Sequence, residues 1–194
     1  SISHMGMITL GLFVVYLIPE SIENTTRWIG VTGVLVHMIS HGFSSAGLFL
    51  CFGLVYQRLG TREVSDYGGL MRVMPAYSAF FMVFILSNIG FPGTAGFVGE
   101  FFVIYATCAA NIWLAGLAVM TMVLSAGYSL GLVKQMFYGR ITNTQLLSVM
   151  DITWSEKLLL TVLAATVIVI GIVPEIITST SEPAIKRTVS FTKT

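Results

Sequence analysis

The stretch Asn88-Ile-Gly-Phe-Pro-Gly-Thr-Ala-Gly-Phe-Val-Gly-Glu100 interrupts a long apolar run and decides how that run folds. Five of its residues weaken or break a helix: Gly90, Pro92, Gly93, Gly96 and Gly99. Glycine lowers helical order and proline removes a backbone donor, so the sequence predicts a broken helix here. Glu100 is the one carboxylate between Arg72 and Lys134. An acid in an apolar run beside a helix break is typical of an ion site in a membrane transporter.

The composition places the chain in a membrane. Of its 194 residues, 55% are hydrophobic and 10% are charged, and the mean hydropathy is +0.86. Soluble domains carry roughly 25% charged residues. The formal net charge of +1 gives no support to a nucleic-acid partner, because phosphate binding needs a basic face or cluster.

Motifs for cofactor chemistry are absent from the sequence. Cys51 and Cys108 have no metal or redox spacing, and they are interpreted as small apolar residues. The chain has no phosphate-binding glycine loop, no dinucleotide fingerprint, no cysteine cluster and no His-Glu-x-x-His zinc motif. We therefore predict no redox centre, no cofactor-binding residues and no metal ligands on this chain.

Hydropathy and helix breakers predict an all-α, polytopic transmembrane protein with about five spans, the third a broken helix. The expected spans are about 1–18, 28–57, 74–109 (broken at 90–96), 113–138 and 156–173, followed by a polar C-terminal tail over 175–194. With 74–109 counted as one span, the basic loops 58–72 and 134–157 fall on the same side. The positive-inside rule then turns this side toward the cytoplasm or the matrix.

Ionisable residues inside the apolar runs are the candidates for function. The proton-relay candidates are Glu100, His41, His4 and Lys134. A low dielectric disfavours the charged form of each group, so a series of such groups can exchange protons. Structural alternatives remain open: Glu100 as a hydrogen-bonded packing residue, His4 and His41 as satisfied structural histidines, and Lys134 extending to the membrane interface. His37 lies one helical turn before His41, and its role is left open.

Several motifs resemble one known family, the chain 4 (bacterial subunit M) family of antiporter-like membrane subunits in respiratory complex I, NADH-ubiquinone oxidoreductase. The matching stretches are Ser1-Ile-Ser-His-Met-Gly6, His41-Gly-Phe-Ser-Ser-Ala-Gly-Leu-Phe-Leu50, Tyr56-Gln-Arg-Leu-Gly-Thr-Arg62, Tyr67-Gly-Gly-Leu70 and Asn88 to Phe101. The resemblance runs in order from residue 1 to about residue 139, and the last span fits by position and hydropathy.

The resemblance implies roles for individual residues. Glu100 matches the glutamate of the family's second broken helix, near the exit of a central hydrophilic axis. His41 and His4 match histidines along the same proton path. Relatives often have His or Arg where this chain has Lys134, and His37 matches no family motif. Family members have fourteen spans, so this chain resembles the C-terminal portion. The missing acid and lysines are expected on a separate chain that packs against residues 1–57; the alternative is that they belong to a preceding part of the same, longer chain.

The resemblance also implies the function. We expect a proton-translocating membrane-arm subunit, part of an H⁺-translocating NADH:ubiquinone reductase, with NADH, FMN, iron–sulfur clusters and ubiquinone on other subunits. The expected partners are other membrane-arm subunits and membrane lipids. The expected location is the mitochondrial inner membrane, with a bacterial plasma membrane as the alternative. Rival interpretations are a subunit of a sodium/proton antiporter or a membrane-bound hydrogenase, and a structural scaffold without a pumping role.

Overall fold

The chain is helical, as the sequence predicts. A computed structural model describes residues 1–19, 24–141 and 143–191, and within these ranges it contains α-helices and short 3₁₀ helices. The α-helices are α1 (Ile2–Val14), α2 (Asn24–Leu59), α3 (Leu70–Val73), α4 (Pro75–Asn88), α5 (Ala95–Ala110), α6 (Ile112–Tyr138), α7 (Trp154–Ile172) and α8 (Glu175–Phe191). The 3₁₀ helices are Val64–Tyr67 and Thr144–Ser148.

Three of the described helices are long and apolar enough to cross a membrane. They are Thr25–Leu59, Ile112–Tyr138 and Trp154–Ile172, with 35, 27 and 19 residues. A hydrocarbon core of about 30 Å takes roughly 20 helical residues. The α1 and α5 helices are apolar but shorter, with 13 and 16 residues. A fourth candidate is the pair Val64–Val73 and Pro75–Asn88, which is bent by 114°.

Helix α2 is the centre of the bundle. It packs along α5 and also contacts α1, α4, α7 and α8. Glycines allow the close approach of α2 and α5: a Cβ on Gly33 would lie 2.6 Å from the Cβ of Phe102, and one on Gly99 would lie 2.6 Å from the backbone of His37. Small residues at such contacts let membrane helices pack backbone to backbone.

The predicted break separates α4 from α5 at residues 89–94. Gly90 and Gly93 have φ values of +70° and +91°, a region that favours glycine. Gly96 and Gly99, which sequence analysis assigned to the break, lie instead within α5. Their small size serves close packing: a Cβ on Gly96 would lie 2.0 Å from the carbonyl oxygen of Ser87.

An aromatic core anchors the loop side of the bundle. Its largest fully buried members come from 3₁₀ and α-helical segments and connections far apart in sequence: Tyr67, Leu70, Met74, Tyr77, Phe84, Phe137, Leu146 and Leu160. Polar contacts bind the same region, because the Asp151 carboxylate accepts hydrogen bonds from the backbone N–H groups of Ala76 and Tyr77 at 2.9 and 3.2 Å. The guanidinium of Arg58 donates to the Glu156 carboxylate at 2.7 Å. These contacts tie the start of α4 and the end of α2 to the segment before and at the start of α7, although the buried hydroxyl of Tyr77 has no hydrogen-bond partner among the described residues.

The C-terminal segment is more ordered than the predicted polar tail. Residues Glu175–Phe191 form α8, which packs against α2. Ile177 and Ile185 are eight residues apart and so share one helical face; Ile185 is buried and Ile177 is half-buried. The segment is polar on average, so its hydropathy did not reveal this short apolar face. Residues 192–194 of the tail lie outside the described part of the chain.

Candidate functional site

Four ionisable side chains from three helices meet in the interior of the bundle. His4 comes from α1, His37 and His41 from α2, and Glu100 from the first two turns of α5. The close contact between α2 and α5 brings Glu100 toward the histidines of α2, and α1 packs against both helices. We call His4, His37, His41 and Glu100 the His–Glu cluster.

The central contact of the cluster joins His4 and Glu100. The Nδ1 atom of His4 lies 3.3 Å from Oε1 of Glu100. The two residues are 5% and 3% exposed. A buried carboxylate in an apolar protein needs a counter-charge, a proton or a hydrogen-bond donor, and His4 supplies one of these.

His4 also connects Glu100 to the histidines of α2. Its ring centroid lies 5.3 Å from that of His37 and 5.0 Å from that of His41, with the His41 ring stacked on it. His41 is half-buried, and its Nε2 lies 3.2 Å from the hydroxyl of Ser45, one turn further along α2. The three imidazoles therefore form a continuous group beside one acid.

The helix break positions the acid. A Cβ on Gly90 would lie 2.3 Å from Oε2 of Glu100, so the carboxylate rests against the backbone of the break. Gly99 allows the preceding turn of α5 to touch His37. Any larger residue at these two glycines would displace part of the cluster.

Two small cavities flank His4, and His4 lines both of them. Each leaves about 10 Å³ for the centre of a water-sized molecule, the room that one water needs. The first cavity is lined by Ser3, His4, Met7, Glu100, Thr121, Met122 and Ser125. The second is lined by His4, His37, Ser40, His41, Ser44, Ser87, Asn88 and Gly96. Hydroxyl and amide groups in both walls are suitable partners for water.

Several buried atoms of the cluster have no hydrogen-bond partner among the described residues. They are Nε2 of His4, both ring nitrogens of His37 and Oε2 of Glu100. Buried polar atoms in folded proteins are normally satisfied by protein or by ordered water. Such atoms at the edge of polar cavities indicate a site that interacts with water, protons or an ion.

A wider groove lies beside the second cavity. It has a volume of about 560 Å³ and runs between α2, α4 and α6. Asn88 lines both the groove and the second cavity, and Ser45 lines the groove while contacting His41. The groove therefore reaches the half-buried side of the cluster.

The structure does not bring Lys134 into the cluster. This residue is exposed near the end of α6 and is absent from the walls of both cavities. Its relay role stays a prediction. Sequence reasoning missed the cavity walls on α4 and α6, namely Ser87, Asn88, Thr121 and Ser125. In the sequence these residues stand out only as single polar residues in apolar runs. The sequence alone does not show which helices bring them together.

The fold and the cluster together define a class: a polytopic helical membrane protein with a buried array of acid and imidazole groups beside small polar cavities. Comparison with known proteins agrees. Residues 1–125 match the family model described as "NADH:quinone oxidoreductase/Mrp antiporter, TM". The chain belongs to this family.

Individual relatives extend the match over nearly the whole chain. NADH-quinone oxidoreductase subunit M of Rhodobacter capsulatus is 38% identical over 97% of this chain and 35% of the relative. NADH-ubiquinone oxidoreductase chain 4 of Chondrus crispus is 36% identical over 90% of this chain and 33% of the relative. A chain in the structure "Respiratory complex I from Thermus thermophilus with bound NADH" superposes with a TM-score of 0.82 at 27% identity, over 96% of this chain and 37% of that one. The chain spans about a third of the length of the curated relatives it matches.

Proposed function

We propose that this chain is the proton-translocating C-terminal portion of an antiporter-like membrane-arm subunit of NADH:ubiquinone oxidoreductase. The observation that carries the proposal is the buried contact between His4 and Glu100 at the helix break, with a polar cavity on either side of His4. Membership of a family that includes the NADH:quinone oxidoreductases supports it.

The proton route runs through the two nitrogens of His4. A proton arrives from the groove at His41, crosses the second cavity and binds Nε2 of His4. The imidazolium then releases its Nδ1 proton to Glu100, whose Oε1 lies 3.3 Å away. Glu100 passes the proton into the first cavity, where Thr121 and Ser125 offer hydroxyl groups for a chain of hydrogen bonds.

Glu100 sets the electrostatics of this route. When it is ionised it stabilises a positive charge on His4, and when it is protonated that stabilisation is lost. A change of charge elsewhere in the membrane arm therefore shifts the proton between the two groups. Redox chemistry and its cofactors, NADH, FMN, iron–sulfur clusters and ubiquinone, belong in this proposal to other subunits, and this chain contributes the proton path.

The length comparison supports a proposal about partners. The relatives are about three times as long as this chain, and we assign the remaining acid and lysines of the path to the part of the subunit that corresponds to the other two thirds. Sequence analysis expects that part on a separate polypeptide packed against residues 1–57. Copurification of such a chain, identified by mass spectrometry, is the check. The proposed location is the mitochondrial inner membrane.

Glu100→Gln tests the function. The amide keeps the shape and loses the exchangeable proton, so proton pumping per electron in vesicles should fall roughly tenfold or more. The matched control is Glu63→Gln, the same chemical change at an exposed loop residue, which should pump normally. Unchanged pumping in Glu100→Gln would support a scaffold role and overturn the proposal.

An antiporter role is the second candidate, because the family model also describes Mrp antiporters. Replacing sodium by choline on both sides of the vesicle membrane distinguishes the two. We expect pumping to be independent of sodium. A strict sodium requirement would favour the antiporter.

A further inference from the structure

His37 is the member of the His–Glu cluster that the proton route does not use. It is 1% exposed, and both of its ring nitrogens lack a hydrogen-bond partner among the described residues. Leaving a buried polar group unsatisfied destabilises the folded state. A residue kept in this state beside an acid and a second imidazole calls for a ligand.

The geometry of the cluster matches a metal site. One ligand atom each from His4, His37 and Glu100 can be chosen so that all lie within 4.8 Å of one another, and all three residues are buried. In a tetrahedral zinc site with bonds of about 2.0–2.1 Å, ligand atoms are about 3.3–3.4 Å apart. The 3.3 Å between Nδ1 of His4 and Oε1 of Glu100 already has this length. The other two ligand-atom separations are at most 4.8 Å, so binding the ion requires the His37 ring to move toward His4 and Glu100.

We propose that His4, His37 and Glu100 form a binding site for a divalent transition-metal ion of the Zn²⁺ type, in place of the sequence-based prediction of no metal ligands, because residues from three helices meet without any ligand spacing in the sequence. Two imidazoles and one carboxylate are a ligand set that suits zinc, and the small polar cavities that His4, Glu100 and His37 line have room for a water as the fourth ligand. Mg²⁺ and Ca²⁺ require oxygen ligands and are excluded by the two imidazoles.

Metal binding at this site blocks the proton route, a consequence that rests on the proposed function. The ion takes the lone pairs of His4 and Glu100 that the moving proton needs, and it displaces any proton they hold. Zn²⁺ is therefore an inhibitor of pumping at this chain, and the metal has no role in turnover.

The experiment measures zinc binding and pumping in the purified complex reconstituted into vesicles. Wild type should retain one more ⁶⁵Zn²⁺ per complex than His37→Gln. Zinc bound elsewhere in the complex contributes equally to both, so it drops out of the difference. Zn²⁺ should inhibit wild-type pumping at concentrations at least tenfold lower than it inhibits His37→Gln, each relative to its own zinc-free rate. Mg²⁺ should have no such effect.

Two further variants make the result decisive. His37→Cys restores a zinc ligand, so it should recover the extra ion, whereas the control Met38→Leu, on the exposed side of α2, should behave as wild type. Equal zinc retention in wild type, His37→Gln and His37→Cys would overturn the site. If the extra ion binds but pumping continues, the metal site stands and the route through His4 and Glu100 falls.

Discussion

The His–Glu cluster and the aromatic core of the loop side are both buried, yet they are built in opposite ways. In the aromatic core, Phe137 stacks with Tyr77 and Phe81, and Asp151 satisfies the start of α4. In the cluster, ionisable atoms of His4, His37 and Glu100 lack partners next to small polar cavities, whereas the unpartnered buried atom of the described aromatic core is the Tyr77 hydroxyl. Packed aromatic rings hold a helix bundle together, whereas neighbouring acid and imidazole groups without partners are able to change protonation. The difference assigns stability to one end and proton chemistry to the other.

The largest expected effect on stability comes from the aromatic core. Phe137→Ala removes a ring that is 2% exposed and should lower the free energy of unfolding by about 3–5 kcal/mol. Thermal unfolding of the purified complex measures it. Trp113→Ala, at an exposed position of α6 outside the surface proposed to contact the separate chain, is the control and should have little effect. In the Phe137→Ala complexes that assemble, pumping per electron should be normal, and a selective loss of pumping would break the division between the two regions.

A smaller structural change at the cluster should act on function. Gly99→Ala places a Cβ 2.6 Å from the backbone of His37 and forces α2 and α5 apart, at a cost of about 1–3 kcal/mol. Because the same shift moves Glu100 away from the histidines, pumping should fall by more than assembly does. Gly127→Ala on α6 meets no atom within 4 Å and serves as the control. If pumping by Gly99→Ala fell only in proportion to the loss of assembled complex, the assignment of proton transfer to the His–Glu cluster would be contradicted.

The smallest expected effect tests the polar contacts of the loop side. Asp151→Asn keeps the side-chain size but removes the charge that caps α4, so the unfolding free energy should drop by about 0.5–2 kcal/mol. Urea or thermal titration of the assembled complex detects the change. Asp66→Asn changes an acid of the 3₁₀ helix Val64–Tyr67 that accepts a hydrogen bond from the Thr61 hydroxyl, and it should cost less. If Asp151→Asn reduced pumping more than Gly99→Ala does, the loop side and not the His–Glu cluster would be the region that controls pumping.

The sequence predicted the elements of the cluster better than its geometry. Glycine and proline chemistry located the break near Gly90 and Gly93, and the rarity of charge pointed to Glu100. Periodicity could not show that Gly96 and Gly99 continue α5. A glycine that breaks a helix and a glycine that permits close helix packing cannot be distinguished from the sequence alone. The place of His37 depends on how α1 and α5 rotate against α2, which only the tertiary contacts determine. Lys134 carried a charge in an apolar run but lies on the exposed side of α6.

The proton on Glu100 can be followed directly by infrared difference spectroscopy of the complex during turnover. The account predicts a carboxylic-acid C=O band that appears and disappears with turnover in wild type, persists in Glu63→Gln and is absent in Glu100→Gln. A band that remains unchanged in Glu100→Gln would mean that Glu100 does not exchange a proton, which contradicts the central claim.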